Sequence, residues 1–315
     1  MPNPTSTDVH VDAVLSNMSV AFMQEAYAFV AGRAFPTVNV LKQTDKYFTY
    51  SQADFFRDQV QRRADGTESA GTGYSLSTAT YGCEVFALHK DIGDQTRANA
   101  DSPLNMDMDT TRFLSQQMLI RQEVQWAADA FTTSVWGTDA TPSPLWDAAS
   151  STPIADVETA KNTVLTNTGY VPNTVIMSYK VFSALVDNAD IVDRIKYTSQ
   201  ESVTEELLAR LFGVDRVLIM ASTYNTAQEG AAASYSQIGD KDVLVCYTPA
   251  NPGLMVPSAG YNMVWTGVSA GLGTGAAVSR YRIEERKADR IEIEAAFDFK
   301  VVSSALGYFL SNVTS

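Results

Sequence analysis

The feature that most constrains the fold of this chain is a two-residue alternation near the C-terminus, from Arg290 to Lys300. The apolar set is Ile291, Ile293, Ala295, Phe297 and Phe299, and the charged set, interrupted only by Ala296, is Arg290, Glu292, Glu294, Asp298 and Lys300. Because successive side chains of a strand point to opposite faces, this pattern predicts a long strand with one buried and one solvated face. Residues 277–286 alternate less strictly and end at Lys287-Ala288-Asp289, which predicts an antiparallel hairpin.

Helical spacing predicts two long helices earlier in the chain. The first runs from Asp12 to Ala31 and is stopped by Gly32, and the second runs from Asp109 to Trp136, before Gly137. The second would span roughly 40 Å at about 1.5 Å per residue. Its predicted apolar stripe consists of Phe113, Gln117, Ile120, Val124, Ala127 or Ala128, Phe131 and Val135. We expect Phe113, Ile120, Val124 and Phe131 to pack on the strand face formed by Ile291, Phe297 and Phe299.

Residues 38–86 differ from the predicted helices and strands, because aromatic and basic residues are interleaved there and few residues could form a hydrophobic core within the segment. The residues concerned are Tyr47, Phe48, Tyr50, Phe55, Phe56, Arg57, Arg62 and Arg63, and a Gly/Ser/Thr-rich stretch follows at 66–73. A hairpin-like segment of this kind needs a partner surface to be ordered. Aromatic and basic residues also suit single-stranded nucleic acid, but the interspersed acids Asp45, Asp54, Asp58, Asp65 and Glu68 nearly cancel the charge, which favours a protein-facing surface.

The segment from residue 154 to 275 predicts an α/β unit, preceded by a linker rich in Thr, Ser, Pro and Ala at 138–153. The predicted helices are 156–167, 180–188 and 202–212, the last capped by Gly213. The predicted strands are 174–177, 216–220, 243–247 and 261–265, and a glycine-rich loop at 267–275 leads into the closing hairpin. The apolar tail at 305–310 follows that hairpin.

Composition excludes several classes of protein. With 315 residues, 45% of them hydrophobic, the chain can bury a substantial core and about two domains are expected. No apolar run approaches the ~18 residues that span a bilayer, and the N-terminus has no signal-peptide pattern, so we expect synthesis in a cytosol-like compartment and no membrane partner. The formal net charge of −13 argues against binding to a phosphate backbone as the main activity. Cys83 and Cys246 are too few for a disulfide framework and are predicted to be buried.

Signals for chemistry are weak, so no catalytic, metal or cofactor residue is predicted. The loop Gly271–Gly275 is not followed by Lys-Ser/Thr, and only His10 and His89 could supply an imidazole. An enzyme using His89 and a nearby carboxylate is therefore a distant alternative. Asp101, Asp107 and Asp109 lack the spacing of a calcium loop and are better explained as carboxylates near a helix start.

The order of these segments resembles the HK97-fold major capsid proteins of tailed bacteriophages, over nearly the whole chain. The local phrases that carry the resemblance are Asp54-Phe-Phe-Arg-Asp58, Thr204–Gly213 and Arg280–Arg290. It implies an α+β fold with an N-terminal arm (1–36), an E-loop hairpin with its flanks (37–100), a P-domain (101–162 and 276–302, with the spine helix at 109–136) and an α/β A-domain (163–275 and 303–315).

The resemblance also implies function and partners. It implies a coat protein that self-assembles into hexamers and pentamers of an icosahedral head around double-stranded DNA, which it would contact weakly. The aromatic and basic residues of the E-loop, from Tyr47 to Arg63, would contact a neighbouring subunit. A separate scaffolding protein, a portal and decoration proteins are expected partners, and the virion, after synthesis in the bacterial cytoplasm, is the expected location. No Lys lies between Tyr47 and His89, so covalent crosslinking through the E-loop is not expected. An encapsulin-like shell shares the fold and stays open as an alternative.

Overall fold

A computed structural model of the chain describes residues 23–100, 104–195, 203–253, 255–268 and 276–315. The strands are β1 (Thr37–Val40), β2 (Thr44–Tyr50), β3 (Leu76–Gly82), β4 (Glu84–Gly93), β5 (Thr138–Ala140), β6 (Thr174–Ser178), β7 (Arg216–Met220), β8 (Thr223–Asn225), β9 (Tyr235–Gln237), β10 (Val243–Cys246), β11 (Gly260–Trp265), β12 (Ala276–Ile283), β13 (Ala288–Val301) and β14 (Gly307–Leu310). The helices are α1 (Ala31–Ala34), α2 (Gln52–Phe55), α3 (Asp94–Ala98), α4 (Met106–Ala130), α5 (Pro153–Thr168), α6 (Tyr179–Val186), α7 (Ala189–Ile195) and α8 (Glu205–Phe212).

The alternating segment forms β13, as predicted, and this strand organises the first sheet. Residues 288–295 of β13 pair antiparallel with β12 and residues 288–297 pair antiparallel with β4. Residues 297–301 pair antiparallel with β11, which in turn pairs parallel with β1. The five apolar side chains of the alternation are all buried, from Ile291 to Phe299. One face of β13 therefore lies in the core along its whole length.

Helix α4 packs against β13, which confirms the expected pairing of the long helix with the hairpin. The helix begins after Asn105, whose side chain accepts a hydrogen bond from the backbone N–H of Met108 at 3.1 Å. It ends at Ala130, six residues earlier than predicted. The indole N–H of Trp136 donates to the carbonyl of Ala130 at 2.7 Å, so a side chain takes up the terminal carbonyl and the chain turns away.

The face of α4 that is buried differs from the face that was predicted to be buried. Leu114, Met118 and Trp126 face the core, whereas Phe113 is 47% exposed, so the packing predicted for Phe113 on β13 is wrong. Phe131 is buried, but its ring packs on Trp126 and on Phe309 of β14, each at 5.5 Å between ring centroids. Phe131 therefore connects the helix end to the second sheet.

The second sheet has the strand order β5-β14-β10-β6-β7. All residues of β6, β10 and β14 are buried, and α5 packs against β14 and β10. The predicted helix at 202–212 is observed as α8, with Thr204 as N-cap and Gly213 in the left-handed region at φ 60°. Residues 138–153 are not a plain linker, because they contain β5 and the fully buried Trp146, whose indole donates to Asp156 at 2.8 Å.

The predicted helix Asp12–Ala31 falls partly outside the described residues, which begin at Met23. Within them, a 3-10 turn at Ala26–Ala28 is followed by α1, and Gly32 lies inside α1, so the predicted helix end is wrong. The N-terminal segment departs from the predicted helix because it makes contacts with another part of the fold. The buried carboxylate of Glu123 on α4 accepts hydrogen bonds from the backbone N–H groups of Val30 at 2.9 Å and Ala31 at 2.7 Å, which starts α1 as an N-cap side chain would.

Candidate intersubunit surface

The E-loop hairpin consists of β2, β3 and residues 51–75 between them, and it protrudes as a two-stranded ribbon. The two strands pair antiparallel, with Tyr47 opposite Ala79, Phe48 opposite Thr78 and Tyr50 opposite Leu76. Because side chains alternate along a strand, Tyr47 and Phe48 lie on opposite faces. Tyr47 is half-buried and Phe48 is 64% exposed, so the ribbon has an inner and an outer face.

Three rings gather at the tip of the hairpin and form what we call the E-loop aromatic cluster: Tyr50, Phe55 and Tyr74. Their ring centroids are 6.0 Å apart for Tyr50 and Phe55, 5.9 Å for Tyr50 and Tyr74, and 5.8 Å for Phe55 and Tyr74. Such pairs stabilise the tip, but Phe55 remains 53% exposed and Tyr74 65%. Phe48 and Leu76 extend this exposed apolar surface along the outer face of the ribbon.

The tip is held together by Asp54. Its carboxylate accepts hydrogen bonds from the backbone N–H of Ser75 at 2.8 Å and from the Ser75 hydroxyl at 2.5 Å. The hydroxyl bond and then the backbone bond lower the pKa of Asp54. The two ends of the long tip loop are therefore joined, and this junction holds Phe55 near Tyr74.

The remaining predicted contact residues lie away from this cluster. Phe56 is 61% exposed, with one ring edge against Gly169 at the end of α5, and Gln52 donates a hydrogen bond to the carbonyl of Asn167. Arg57 pairs with Asp54 at 3.8 Å, and Arg63 donates to the carbonyl of Thr67. Arg62 is exposed. All three predicted basic residues thus lie in the loop between β2 and β3.

The inner face of the ribbon is directed at the chain's own body. Burial, and secondarily the negative charge of Asp298, raise the pKa of Tyr47. Asp298 also accepts a hydrogen bond from the backbone N–H of Gly82 at 3.0 Å, at the base of β3. Tyr74 and Leu76 were missing from the predicted contact residues, although the alternation in residues 74–80 carries a signal for their exposure on one strand face.

An ion-pair cluster lies where β13 begins, beside β12, α3 and the start of α4. Asp289 binds Arg280 at 2.8 Å and also contacts Arg97 and Arg282, while Asp107 binds Arg97 at 2.7 Å. Hydrogen bonds from Arg280 and then Arg97 lower the pKa of Asp289 to about 2. The carboxylate of Asp107 is therefore engaged by arginines, which agrees with its interpretation as a structural residue at a helix start.

The other residues considered for catalysis or metal binding lie outside the E-loop hairpin or outside the described residues. His89 lies within β4, opposite Glu292 of β13. His10, Asp101 and the loop Gly271–Gly275 lie outside the described residues. Within the described ranges, no group of three or more His, Cys, Asp or Glu side chains is arranged to hold a metal ion, and none of the helices could cross a membrane. Cys83 and Cys246 are buried, as predicted, and burial raises their pKa values to about 11 and about 12.

Comparison with known proteins identifies what kind of chain builds such a surface. The family model for phage major capsid protein E matches residues 138–259. The major capsid protein of Burkholderia phage BcepMu is 20% identical over 312 residues, covering 96% of each chain. The sequence therefore matches phage major capsid proteins, over a central segment in the family model and over 96% of its length in this relative. The resemblance seen in the sequence is thereby confirmed, together with the mixed α+β fold.

Solved structures extend this likeness to nearly the whole fold of the capsid protein. A phage-related protein from Bordetella bronchiseptica RB50 has a TM-score of 0.71 at 21% identity, covering 92% of this chain and 93% of that one. The capsid of cyanophage P-SCSP1u has a TM-score of 0.61 at 11% identity, covering 96% and 93%. The SrpI encapsulin of Synechococcus elongatus PCC 7942 has a TM-score of 0.60 at 12% identity, covering 96% and 95%. The shape alone is therefore shared with shells that are not phage heads.

Proposed function

We propose that this capsid protein assembles into the hexamers and pentamers of an icosahedral phage head enclosing double-stranded DNA, and that the outer face of the E-loop hairpin contacts a neighbouring subunit. The observation that carries the second part is the exposed aromatic surface of Phe48, Phe55, Tyr74 and Leu76 on a two-stranded ribbon. A two-stranded hairpin is marginally stable in water without a further packing surface. A second copy of the chain supplies that surface in a shell.

The charge distribution supports weak contact with the packaged DNA. With 36 acidic and 23 basic residues, the chain has a net charge of −13, and many of its arginines are already paired with aspartates, as around Asp289 and Asp91. A protein that neutralises many phosphates needs unpaired, clustered Lys and Arg. Assembly with a separate scaffolding protein, a portal and decoration proteins is part of the proposal, as is assembly in the host cytoplasm before the protein resides in the virion. A purely structural role, without catalysis, is also proposed.

An encapsulin-like shell is the second candidate, because an encapsulin is among the structural neighbours. The match to the phage capsid family and to a phage major capsid protein over 96% of the chain favours the phage head. Negative-stain electron microscopy of the purified protein separates the two. A scaffold-dependent or DNA-filled head supports the proposal, whereas smaller particles filled with a protein cargo would support the encapsulin, and a small soluble oligomer would contradict both.

The E-loop part of the proposal has its own test. The double variant Phe55→Ser with Tyr74→Ser removes two rings of the aromatic cluster, and both rings are more than half exposed in the chain. We expect the yield of particles to fall sharply while the urea midpoint of the unassembled subunit is unchanged, because exposed side chains contribute little to subunit stability. Tyr235→Ser is the matched control, since Tyr235 is 77% exposed on β9, outside the E-loop hairpin. Normal particle yield in the double variant would contradict the assignment of this surface.

A further inference from the structure

A cleft with two arginines lies where the N-terminal segment enters the body of the molecule. It has a volume of about 420 Å³ and is lined by Gly32, Arg33, Phe35, Pro36, Thr37, Arg216, Leu218, Pro249 and Ala250. Two of these residues are cationic and none is acidic. We call it the arginine cleft, and its charge is opposite in sign to that of the chain as a whole.

Arg216 is positioned in the cleft by neutral groups. Its Nε donates to the hydroxyl of Thr174 at 3.0 Å, and one terminal nitrogen donates to the hydroxyl of Thr248 at 2.8 Å. A guanidinium carries five N–H donors, so these two bonds fix its orientation and leave donors available. No carboxylate of the described residues forms an ion pair with it. In contrast, Arg97, Arg280, Arg282 and Arg290 all bind aspartates.

Arg33 is held in a similar way. One terminal nitrogen donates to the backbone carbonyl of Tyr27 at 2.8 Å, and the guanidinium lies 4.4 Å from the centre of the Tyr27 ring. Its Nε is buried and has no hydrogen-bond partner. Glu123 is near enough for Arg33 to lower its pKa, but the Glu123 oxygens already accept bonds from Val30, Ala31 and Ser222. The Arg33 side chain thus adds a second positive charge to the lining of the cleft.

We propose that the arginine cleft binds a carboxylate side chain from a second copy of this protein. The inference rests on the proposed shell function, in which each copy is surrounded by others with an acidic surface. Arginine binds carboxylates through parallel N–H bonds, and its weak hydration suits partly buried ion pairs. Most of the remaining lining is apolar, formed by Phe35, Pro36, Leu218, Pro249 and Ala250, and it suits the methylene groups of an aspartate or glutamate; Thr37 adds one hydroxyl group.

The chemistry of the cleft favours a carboxylate over packaged DNA. Binding to a phosphate backbone depends on several cations spaced along a strand, and this cleft offers two between apolar walls. A charge pair placed at an interface contributes to correct pairing and register more than to affinity. We therefore expect the cleft to help select the geometry in which copies associate.

Carbodiimide crosslinking of assembled particles tests the proposal directly. The variant Arg216→Lys keeps the positive charge and introduces an amine, which the reagent joins to a carboxylate in contact with it. Particles are assembled from equal amounts of unlabelled and ¹⁵N-labelled protein, so that mass spectrometry separates links between copies from links within one copy. Arg210→Lys is the control, since Arg210 is an exposed residue of α8.

We expect a mixed-label crosslink between position 216 and an Asp or Glu of another copy, absent from the Arg210→Lys sample and from unassembled subunits. A link within one copy, a link to a different protein, or particles without a link at position 216 would each overturn the inference while the shell function stands. Microscopy of the same sample scores particle formation separately. Absence of particles from the wild-type chain would refute the shell function, and with it a second copy as the occupant.

Discussion

The buried carboxylate of Glu123 joins three parts of the molecule, and its removal should be costly. It lies on α4 with no exposed surface, and it accepts bonds from Val30 at 2.9 Å, from Ala31 at 2.7 Å and from the Ser222 hydroxyl at 3.3 Å. In Glu123→Ala the two backbone N–H groups lose their acceptor, at about 1–3 kcal/mol each. The variant no longer buries a charge, which offsets part of this loss. We expect a net destabilisation of about 2–3 kcal/mol.

Urea unfolding of the unassembled subunit measures this loss, and native-state hydrogen exchange at Val30 and Ala31 locates it. Both amides should exchange faster in Glu123→Ala, because α1 loses the group that caps it. Glu158→Gln is the control, since Glu158 is an exposed glutamate on α5. An unchanged urea midpoint together with unchanged exchange at these two amides would refute the role of Glu123 as the anchor of the N-terminal segment.

The pH dependence of the same site gives a signed test. Burial raises the pKa of Glu123 above its ordinary value of 4.5, more than the bonds from Ala31 and Val30 lower it. The folded state therefore binds this proton more tightly than the unfolded state, and the contribution of Glu123 falls as pH rises from about 4.5 through the raised pKa. The stability difference between the wild type and Glu123→Gln should shrink over that window. A difference that grows with pH would mean that the backbone bonds outweigh burial.

Three further predictions concern the core, the ion-pair cluster and the shell. Phe131→Ala should lower the free energy of unfolding by about 3–5 kcal/mol in urea titrations, because the ring is buried between Trp126 and Phe309. Phe113→Ala should lower it much less, because Phe113 is largely exposed. Equal losses in the two variants would be inconsistent with the observed buried face of α4. Asp289 has a pKa lowered to about 2, so the wild type should lose stability relative to Asp289→Asn as pH falls from about 4 to 2; an unchanged difference over that range would argue against the cluster. Mature particles boiled in SDS without reductant should give one band near 34 kDa, since no Lys lies between Tyr47 and His89 and both thiols are buried; a ladder of covalent multimers would contradict a noncovalent shell.

Sequence patterns predicted the elements that local chemistry determines. The alternation from Arg290 to Lys300 predicted β13 to within two residues at its start, and Thr204 and Gly213 marked the two ends of α8. The face of α4 could not be predicted in the same way. Apolar residues occur on two adjacent stripes, represented by Phe113 and Leu114, and the buried side also carries Glu123. From sequence alone, a glutamate is expected on the solvent-exposed face of a helix. Glu123 is buried because it accepts hydrogen bonds from the backbone N–H groups of Val30 and Ala31, which are far away in the chain.

The predicted end of the N-terminal helix was wrong because of similar long-range contacts. Its helical spacing is real, but the side chain of Gln24 pairs with both backbone groups of Thr223, at 2.6 Å and 2.9 Å, and the carbonyl of Ala28 accepts from Ala221 at 3.2 Å. Hydrogen bonds to the body replace those of a continuous helix there. Two of the three rings of the E-loop aromatic cluster, Tyr50 and Phe55, were among the predicted contact residues, but Tyr74 was not. The bond from Ser75 to Asp54 that brings the two ends of the loop together is a contact between residues 21 apart in sequence.

The distribution of burial also suggests the order in which the protein gains its structure. Both larger sheets share one continuous core that includes Leu114, Phe297 and Phe309, so they can fold within a single copy. The rings of the E-loop aromatic cluster are outside that core and stay largely exposed. Folding of the body therefore buries its apolar surface within one copy, whereas the exposed rings of the hairpin form the surface that the proposed contact between copies would bury.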